Sequence, residues 1–120
     1  MAWQQPEQDK ISSLVCSILK KDLNLTSLLD LPLHKQLFKA LDTLGFSEAT
    51  EVQDSAIPAI LEGRDVMVSA KTGSGKTAAF LLPMLDHMLR MDAPGYGTRG
   101  LILLPTRELA LQTVKTFEKL

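Results

Sequence analysis

The first twenty residues carry apolar side chains at helical spacing. These are Ile11, Leu14, Val15, Ile18 and Leu19, at positions i, i+3, i+4, i+7 and i+8. The spacing predicts an amphipathic helix whose apolar face packs on the rest of the chain or binds a partner protein. Packing is favoured, because most apolar helix faces in globular proteins are internal.

A second apolar stripe follows an expected extended linker at residues 28–33. Its members are Leu37, Phe38, Leu41 and Leu44. They predict a helix that begins near His34 and ends at Gly45, since glycine is common just past a helix C-terminus. His34 is interpreted as a capping or surface residue and receives no chemical role.

A third helix is predicted from Thr50 to Leu61. Thr50 and Gln53 have the spacing of a capping box, in which each side chain accepts a hydrogen bond from the backbone N–H of the other residue. Pro58 removes one hydrogen bond inside this helix, so a bend is expected there. The predicted buried stripe comprises Val52, Ala56, Ala59 and Ile60.

A short apolar run at residues 66–68 predicts a strand over residues 65–69, and a continuous apolar run at residues 101–104 predicts a second buried strand of a parallel sheet. A helix over about residues 76–91 lies between them, and a last helix at residues 107–120 should turn Ala110, Val114 and Phe117 inward. The order strand, loop, helix, strand, helix predicts an α/β fold with right-handed crossovers. Two strands are too few for a stable sheet covered on both faces, so the chain is expected to be the front part of a larger domain.

The turn after the first predicted strand has the composition of a phosphate-binding loop. Its residues are Ala70, Lys71, Thr72, Gly73, Ser74, Gly75, Lys76 and Thr77. The backbone N–H groups of such a turn, and the helix N-terminus after it, bind phosphate oxygens. Lys76 is expected to reach the terminal phosphates, and Thr77 to place its hydroxyl on Mg²⁺. The alternative is a chance Gly- and Ser-rich loop, which the flanking strand and helix disfavour.

The composition indicates more about the cellular location of the protein than about its chemistry. The net charge of −1 gives no basic field, so any nucleic-acid contact must depend on specific residues. Cys16 is the only cysteine, which excludes an internal disulfide and suits a reducing cytosol. No apolar run approaches the roughly 20 residues of a membrane span, and residues 1–10 lack the features of a secretory signal. A cytoplasmic protein without a membrane segment is expected.

Three stretches together resemble the DEAD-box family of ATP-dependent RNA helicases. Residues 45–53 (Gly-Phe-Ser-Glu-Ala-Thr-Glu-Val-Gln) resemble the Q motif, and residues 70–77 resemble motif I, in which the first Gly is commonly Ala. Residues 105–112 (Pro-Thr-Arg-Glu-Leu-Ala-Leu-Gln) resemble motif Ia. The resemblance implies that residues 28–120 form the N-terminal part of a first RecA-like domain, a P-loop domain that is incomplete after its second strand and helix. Residues 1–27 lie outside it, as a tail and the amphipathic helix.

The resemblance also implies that ATP and Mg²⁺ bind at the phosphate loop, next to the Q motif. Gln53, with Thr50 beside it, would read the adenine edge, because an amide both donates and accepts hydrogen bonds. The capping box is an alternative role for Gln53, and the two roles are compatible. Leu28 stands where the family has an aromatic residue that stacks on adenine, and Ala49 stands where it usually has Pro. Leucine cannot stack as a ring does, so weaker adenine binding than is usual in the family is expected unless Phe38 or another residue compensates.

RNA is the partner that the resemblance implies for motif Ia. Pro105, Thr106 and Arg107 would lie along the RNA backbone, where the Arg107 guanidinium is suited to bind phosphate without reading sequence. The alternative is that these are ordinary surface residues at a helix start.

Enzymatic activity is expected of the family, but not of this 120-residue chain alone. The resemblance implies an enzyme that hydrolyses ATP and unwinds RNA, but no Asp-Glu-Ala-Asp motif occurs among the 120 residues. The chain is expected to bind ATP without hydrolysing it, and to fold only marginally. The alternatives are another P-loop NTPase, which the Q-like motif and motif Ia disfavour, and a non-enzymatic nucleotide-binding fragment, which the missing acidic motif permits.

Overall fold

The computed structural model describes residues 27–91 and 97–120, and within these ranges the chain forms four α-helices and a short 3₁₀ helix. The 3₁₀ helix is Leu28–Asp30, and the α-helices are α1 (Lys35–Thr43), α2 (Glu51–Leu61), α3 (Lys76–Arg90) and α4 (Arg107–Phe117). The amphipathic helix predicted at residues 11–19 lies outside the described residues and stays a prediction. Within the described ranges, no helix is both long and apolar enough to cross a bilayer.

The starts of α1 and α2 confirm the predicted capping residues. His34 Nδ1 accepts a hydrogen bond from the N–H of Gln36 at 3.3 Å and so caps α1. In α2, Thr50 Oγ1 accepts from the N–H of Gln53 at 3.3 Å, and Gln53 Oε1 accepts from the N–H of Thr50 at 3.0 Å. Both halves of the capping box are therefore present, and they satisfy backbone donors that a helix start leaves without partners.

The buried face of α2 differs in part from the predicted stripe. Ala56 and Ala59 are buried as predicted, but Ile57 and Gln53 complete the buried face. Val52 and Ile60 are only partly buried. Pro58 lies inside the helix, as predicted. The burial of Gln53 matters for the site, because a buried amide must find hydrogen-bond partners.

The hydrophobic core lies where α1, α2 and α3 meet the segment before α1. Its buried members are Leu28, Leu31, Leu33, Leu37, Leu41, Ala49, Ile57 and Leu82. The prediction of an extended linker at residues 28–33 is therefore wrong in its first half, because Leu28–Asp30 turns as a 3₁₀ helix. That turn places Leu28 in the core and leaves Leu29 exposed, and burying one leucine contributes roughly 2 kcal/mol.

One buried carboxylate connects α3 to the start of α1. Asp86 is 2% exposed, and it accepts a hydrogen bond from the N–H of His34 at 2.6 Å. Arg90 pairs with it at 2.7 Å and also donates to the carbonyl of Pro32 at 3.0 Å. The hydrogen bond to Asp86, and then the attraction of its charge, raises the pKa of Arg90 above its ordinary value. We call these four residues the Asp86 clamp; it holds the segment before α1 against the second half of α3.

The two segments predicted as strands are not paired within the described residues. Residues 64–70 and 98–104 have neither strand nor helix structure there, and the antiparallel bridge that the structure does describe joins Ser27 to Glu48. A parallel strand is stabilised by neighbouring strands and by helices on both faces. Within the described residues neither segment pairs with another strand, so the parallel sheet stays a prediction.

The last helix begins where the sequence predicts but faces differently. Thr106 caps α4, since its Oγ1 accepts from the N–H of Leu109 at 3.3 Å. The prediction that Val114 and Phe117 face inward is wrong, because they are 50% and 40% exposed while Thr113 is buried. Periodicity identifies an apolar stripe, but it does not show whether another element covers that stripe.

Candidate nucleotide-binding site

The turn between residue 70 and α3 contains two glycines with left-handed backbone conformation. Gly73 and Gly75 have φ values of +80° and +81°, in the left-handed region that residues with a β-carbon rarely adopt. The N–H of Ser74 donates to the carbonyl of Lys71 at 3.2 Å and closes the turn. The loop therefore needs glycine at both positions, and it leads directly into the first turn of α3.

Lys76 and Thr77 are the first two residues of α3. Gly75 occupies the N-cap position and has no side chain to satisfy the N–H groups of the first helical turn. These N–H groups, together with the helix dipole, favour an anion at this end of the helix. The Lys76 Nζ donates a hydrogen bond to the carbonyl of Ala70, so its charge lies over the loop.

Gln53 connects α2 to the phosphate loop. Its Nε2 donates to the carbonyl of Gly75 at 3.2 Å, while its Oε1 accepts from Thr50 as part of the capping box. The predicted site residues Thr50 and Gln53 are thus brought into contact with the predicted loop. Local sequence reasoning predicts the capping box but not the bond to Gly75, because the two residues are separated by 22 positions.

The loop also contains a buried hydroxyl that fits a phosphate ligand. Ser74 Oγ is buried and has no hydrogen-bond partner among the described residues. A buried polar atom without a partner costs about 1–3 kcal/mol, which a ligand oxygen would offset. The donors at this loop are a hydroxyl, backbone N–H groups and an ammonium, and this set suits phosphate oxygens.

Leu28 lies beside Gln53 but in the hydrophobic core. It is 1% exposed, and it lines a cavity of about 310 Å³ together with Gln53 and Phe46. The cavity wall also includes Lys119. Leu28 is therefore near the predicted adenine contact, while Phe46, which is 44% exposed, is the aromatic side chain of this cavity.

The predicted RNA-contact residues lie at the start of α4. Pro105, Thr106 and Arg107 are all exposed. The Thr106 side chain is already used as the cap of α4, which orients the first turn of the helix. Arg107 is the first residue of α4.

A sequence profile of the DEAD/DEAH box helicases matches residues 50–120. The chain belongs to the DEAD/DEAH box helicase family. The resemblance carried by the Q-like motif, motif I and motif Ia is thereby confirmed at the level of the family.

This DEAD/DEAH box chain is 54% identical over 91 residues to the probable ATP-dependent RNA helicase ddx27 of Dictyostelium discoideum. The alignment covers 76% of the chain and 12% of that protein, so the chain spans a small part of the relative's length.

Two solved structures resemble the fold. The crystal structure of a DEAD box protein from the hyperthermophile Methanococcus jannaschii is 33% identical with a TM-score of 0.69, over 78% of this chain and 25% of that one. The RNA helicase Prp28 from Chaetomium thermophilum, in a crystal structure bound to ADP, is 31% identical with a TM-score of 0.69, over 98% of this chain and 32% of that one. This chain therefore has the RecA-like fold of DEAD-box proteins.

Proposed function

We propose that the chain supplies the ATP-binding site and part of the RNA contact of an ATP-dependent RNA helicase. The observation that supports this most is the junction of three features: a phosphate loop with two left-handed glycines, the uncapped N-terminus of α3, and Gln53 bonded to Gly75. P-loop proteins in general need only the first two features, the phosphate loop and the helix N-terminus. The third brings the Q-like motif into contact with the loop, in a chain whose family includes proteins named as ATP-dependent RNA helicases.

The phosphate groups of ATP are proposed to bind at residues 70–77. The backbone N–H groups and the Lys76 ammonium neutralise the phosphate charge, and the Ser74 hydroxyl gains a partner. Mg²⁺ is proposed to bind the Thr77 hydroxyl, next to the phosphates; when bound, the ion neutralises charge on the phosphate oxygens. Residues 28–120 are proposed to be the front part of a RecA-like domain, and the parallel sheet at residues 65–69 and 101–104 belongs to that proposal.

The adenine base is proposed to bind near Gln53 and Thr50. The Gln53 amide keeps one N–H and one acceptor lone pair after its two intramolecular bonds. Leu28 offers little accessible surface for stacking, because it is 1% exposed. We therefore expect the adenine base to contribute less to ATP affinity here than it does in a site where an aromatic ring stacks on the base.

The RNA backbone is proposed to contact Pro105, Thr106 and Arg107. Arg107 is exposed at the start of α4, and its bidentate donors suit a phosphate group. Such contacts position a strand and carry no sequence information. A cytoplasmic location remains a proposal drawn from the sequence.

ATP binding by the chain tests this function directly. In isothermal titration with ATP and Mg²⁺, Lys76→Met should weaken binding about tenfold or more, because a charge-assisted contact to phosphate is lost. Lys39→Met is the matched control, since Lys39 is an exposed lysine on α1 and should leave the affinity unchanged. No release of phosphate is expected from either, with or without RNA. Equal ATP affinities for the two variants would contradict the proposed site.

A further inference from the structure

The segment before α1, residues 27–34, is bound at both of its ends. At its first end, the Ser27 hydroxyl and the Leu28 N–H both donate to the carbonyl of Ser47, each at 3.2 Å. At its second end, the Asp86 clamp holds it through two backbone groups. The segment therefore links the Q-like motif, to which Ser47 belongs, to the second half of α3.

Hydrogen bonds within the segment make it stiff between these two ends. The N–H of Leu31 donates to the carbonyl of Leu28 at 3.4 Å and closes the 3₁₀ turn, and the N–H of Leu33 donates to the carbonyl of Leu31 at 2.7 Å. All three leucines are buried in the core. Because the segment is short and bonded along its length, a displacement at one end is expected to reach the other end.

The clamp fixes the direction of the segment in a way that its leucines do not. Burial of apolar side chains is non-directional, so leucines can repack with little loss. Arg90 instead donates from Nε to Asp86 at 2.7 Å and from its terminal nitrogen to the carbonyl of Pro32 at 3.0 Å. The guanidinium is planar and its donors have fixed relative directions, so Arg90 sets the position of Pro32 relative to Asp86.

The first end of the segment lies on the base side of the proposed ATP site. Leu28 and Phe46 line the same cavity as Gln53, the proposed adenine contact, and Phe46 directly precedes Ser47. The phosphate loop, by contrast, leads into the start of α3. One ATP molecule must fit both parts at once, so its affinity depends on how the cavity wall is placed relative to α3.

We propose that Asp86 and Arg90 are positioning residues for the base side of the ATP site. They act through the segment before α1, which they hold in place against α3. The proposal rests on the proposed ATP binding, and it assigns a role in nucleotide affinity to two residues outside all three motifs. It predicts that opening the clamp weakens the binding of ATP but not of a polyphosphate that carries no base.

Arg90→Met and Arg64→Met form a matched pair of variants for this test. Both arginine side chains are 54% exposed, and each pairs with a nearby carboxylate, that of Asp86 or of Glu62. The two substitutions remove the same charge and an ion pair, but only the first opens the clamp. Affinities of the 120-residue chain for ATP and for inorganic tripolyphosphate, each with Mg²⁺, are measured by isothermal titration, with melting curves to check folding.

Arg90→Met should weaken ATP binding about fivefold, because the base side of the site is no longer held in place. Its tripolyphosphate affinity, and both affinities of Arg64→Met, should stay within about twofold of the unaltered chain. The Leu28 amide should exchange its hydrogen faster in Arg90→Met, since the segment is released at its other end. If Arg90→Met does not fold, Arg90→Lys decides by the same comparison, because lysine keeps the charge but lacks the fork that also reaches Pro32.

Five other outcomes overturn the inference. A lowered melting temperature with unchanged ATP affinity shows that the clamp only stabilises the fold, and the proposed function stands. Equal weakening for both ligands shows that the effect passes through the phosphate loop. An equal effect of Arg64→Met shows that charge alone is responsible. An unaltered chain that binds ATP but not tripolyphosphate contradicts the division of the site into a phosphate loop and a base wall. A chain that binds neither ligand overturns the proposed function together with the inference.

Discussion

Gly75 is the residue at which the phosphate loop, the start of α3 and the Gln53 side chain meet. Its φ of +81° is in the left-handed region, and an added β-carbon would overlap Gln53 Nε2. Gly63 has a similar φ of +76°, but nothing lies within 4 Å of a β-carbon added there. The two glycines share the same backbone requirement and differ in the space around them, so together they separate conformational strain from steric overlap.

Gly75→Ala is accordingly expected to destabilise the chain more than Gly63→Ala. The alanine at residue 63 carries only the left-handed strain, about 1 kcal/mol. At residue 75 the overlap with Gln53 adds about 1–3 kcal/mol, since overpacking forces neighbouring groups apart. Urea unfolding followed by circular dichroism measures both free energies. Equal losses for the two variants would show that Gln53 does not rest on Gly75 in solution.

Hydrogen bonds between residues close in sequence were predictable, whereas those between residues far apart in sequence were not. The Thr50–Gln53 capping box and the His34 cap join residues within three positions of each other, so the pattern of residue types contains them. The bond from Gln53 to Gly75 depends on how α2 packs on α3, which no local pattern encodes. The buried hydroxyl of Ser74 is of the same kind, because its isolation is set by the folded loop around it.

At the scale of elements, the Asp86 clamp fixes the segment before α1 to the second half of α3. Asp86 is 2% exposed, and a buried carboxyl group needs hydrogen-bond partners, which the three donors from His34 and Arg90 supply. The spacing of Asp86 and Arg90 on one helix face predicts an ion pair, but a pair of this spacing is usually solvated. The additional bonds to His34 and Pro32 arise from packing alone.

Asp86→Ala should lower the free energy of unfolding by about 2 kcal/mol, chiefly because the partly buried N–H of His34 loses its acceptor. Glu62→Ala is the control, since Glu62 forms an exposed pair with Arg64 at 2.8 Å and should cost less than about 0.5 kcal/mol. The pKa of Arg90 is raised in the folded chain, so the stability linked to its charge is complete at neutral pH and is lost only in strongly alkaline solution. Equal losses for the two variants in urea unfolding at neutral pH would contradict the clamp.

Over the whole molecule, the four described α-helices were largely predictable, whereas the environment of the apolar runs was not. Leu101 and Leu103 are 73% and 84% exposed, although the run at residues 101–104 is typical of a buried parallel strand. A helix satisfies its own backbone, so its sequence predicts it; a strand depends on partners that the pattern does not identify.

This exposure leads to a last prediction, on the 120-residue chain itself. Replacing both Leu101 and Leu103 by Ser should leave the free energy of unfolding within about 0.5 kcal/mol, because exposed side chains contribute little to stability. The same change should reduce self-association, since large exposed apolar patches promote it. Leu82→Ala is the contrasting variant; Leu82 is 0% exposed, and truncation should cost about 2–5 kcal/mol. Thermal melting and light scattering measure the two effects. A loss in the double variant as large as that of Leu82→Ala would show that the run is buried in solution, as in a formed sheet.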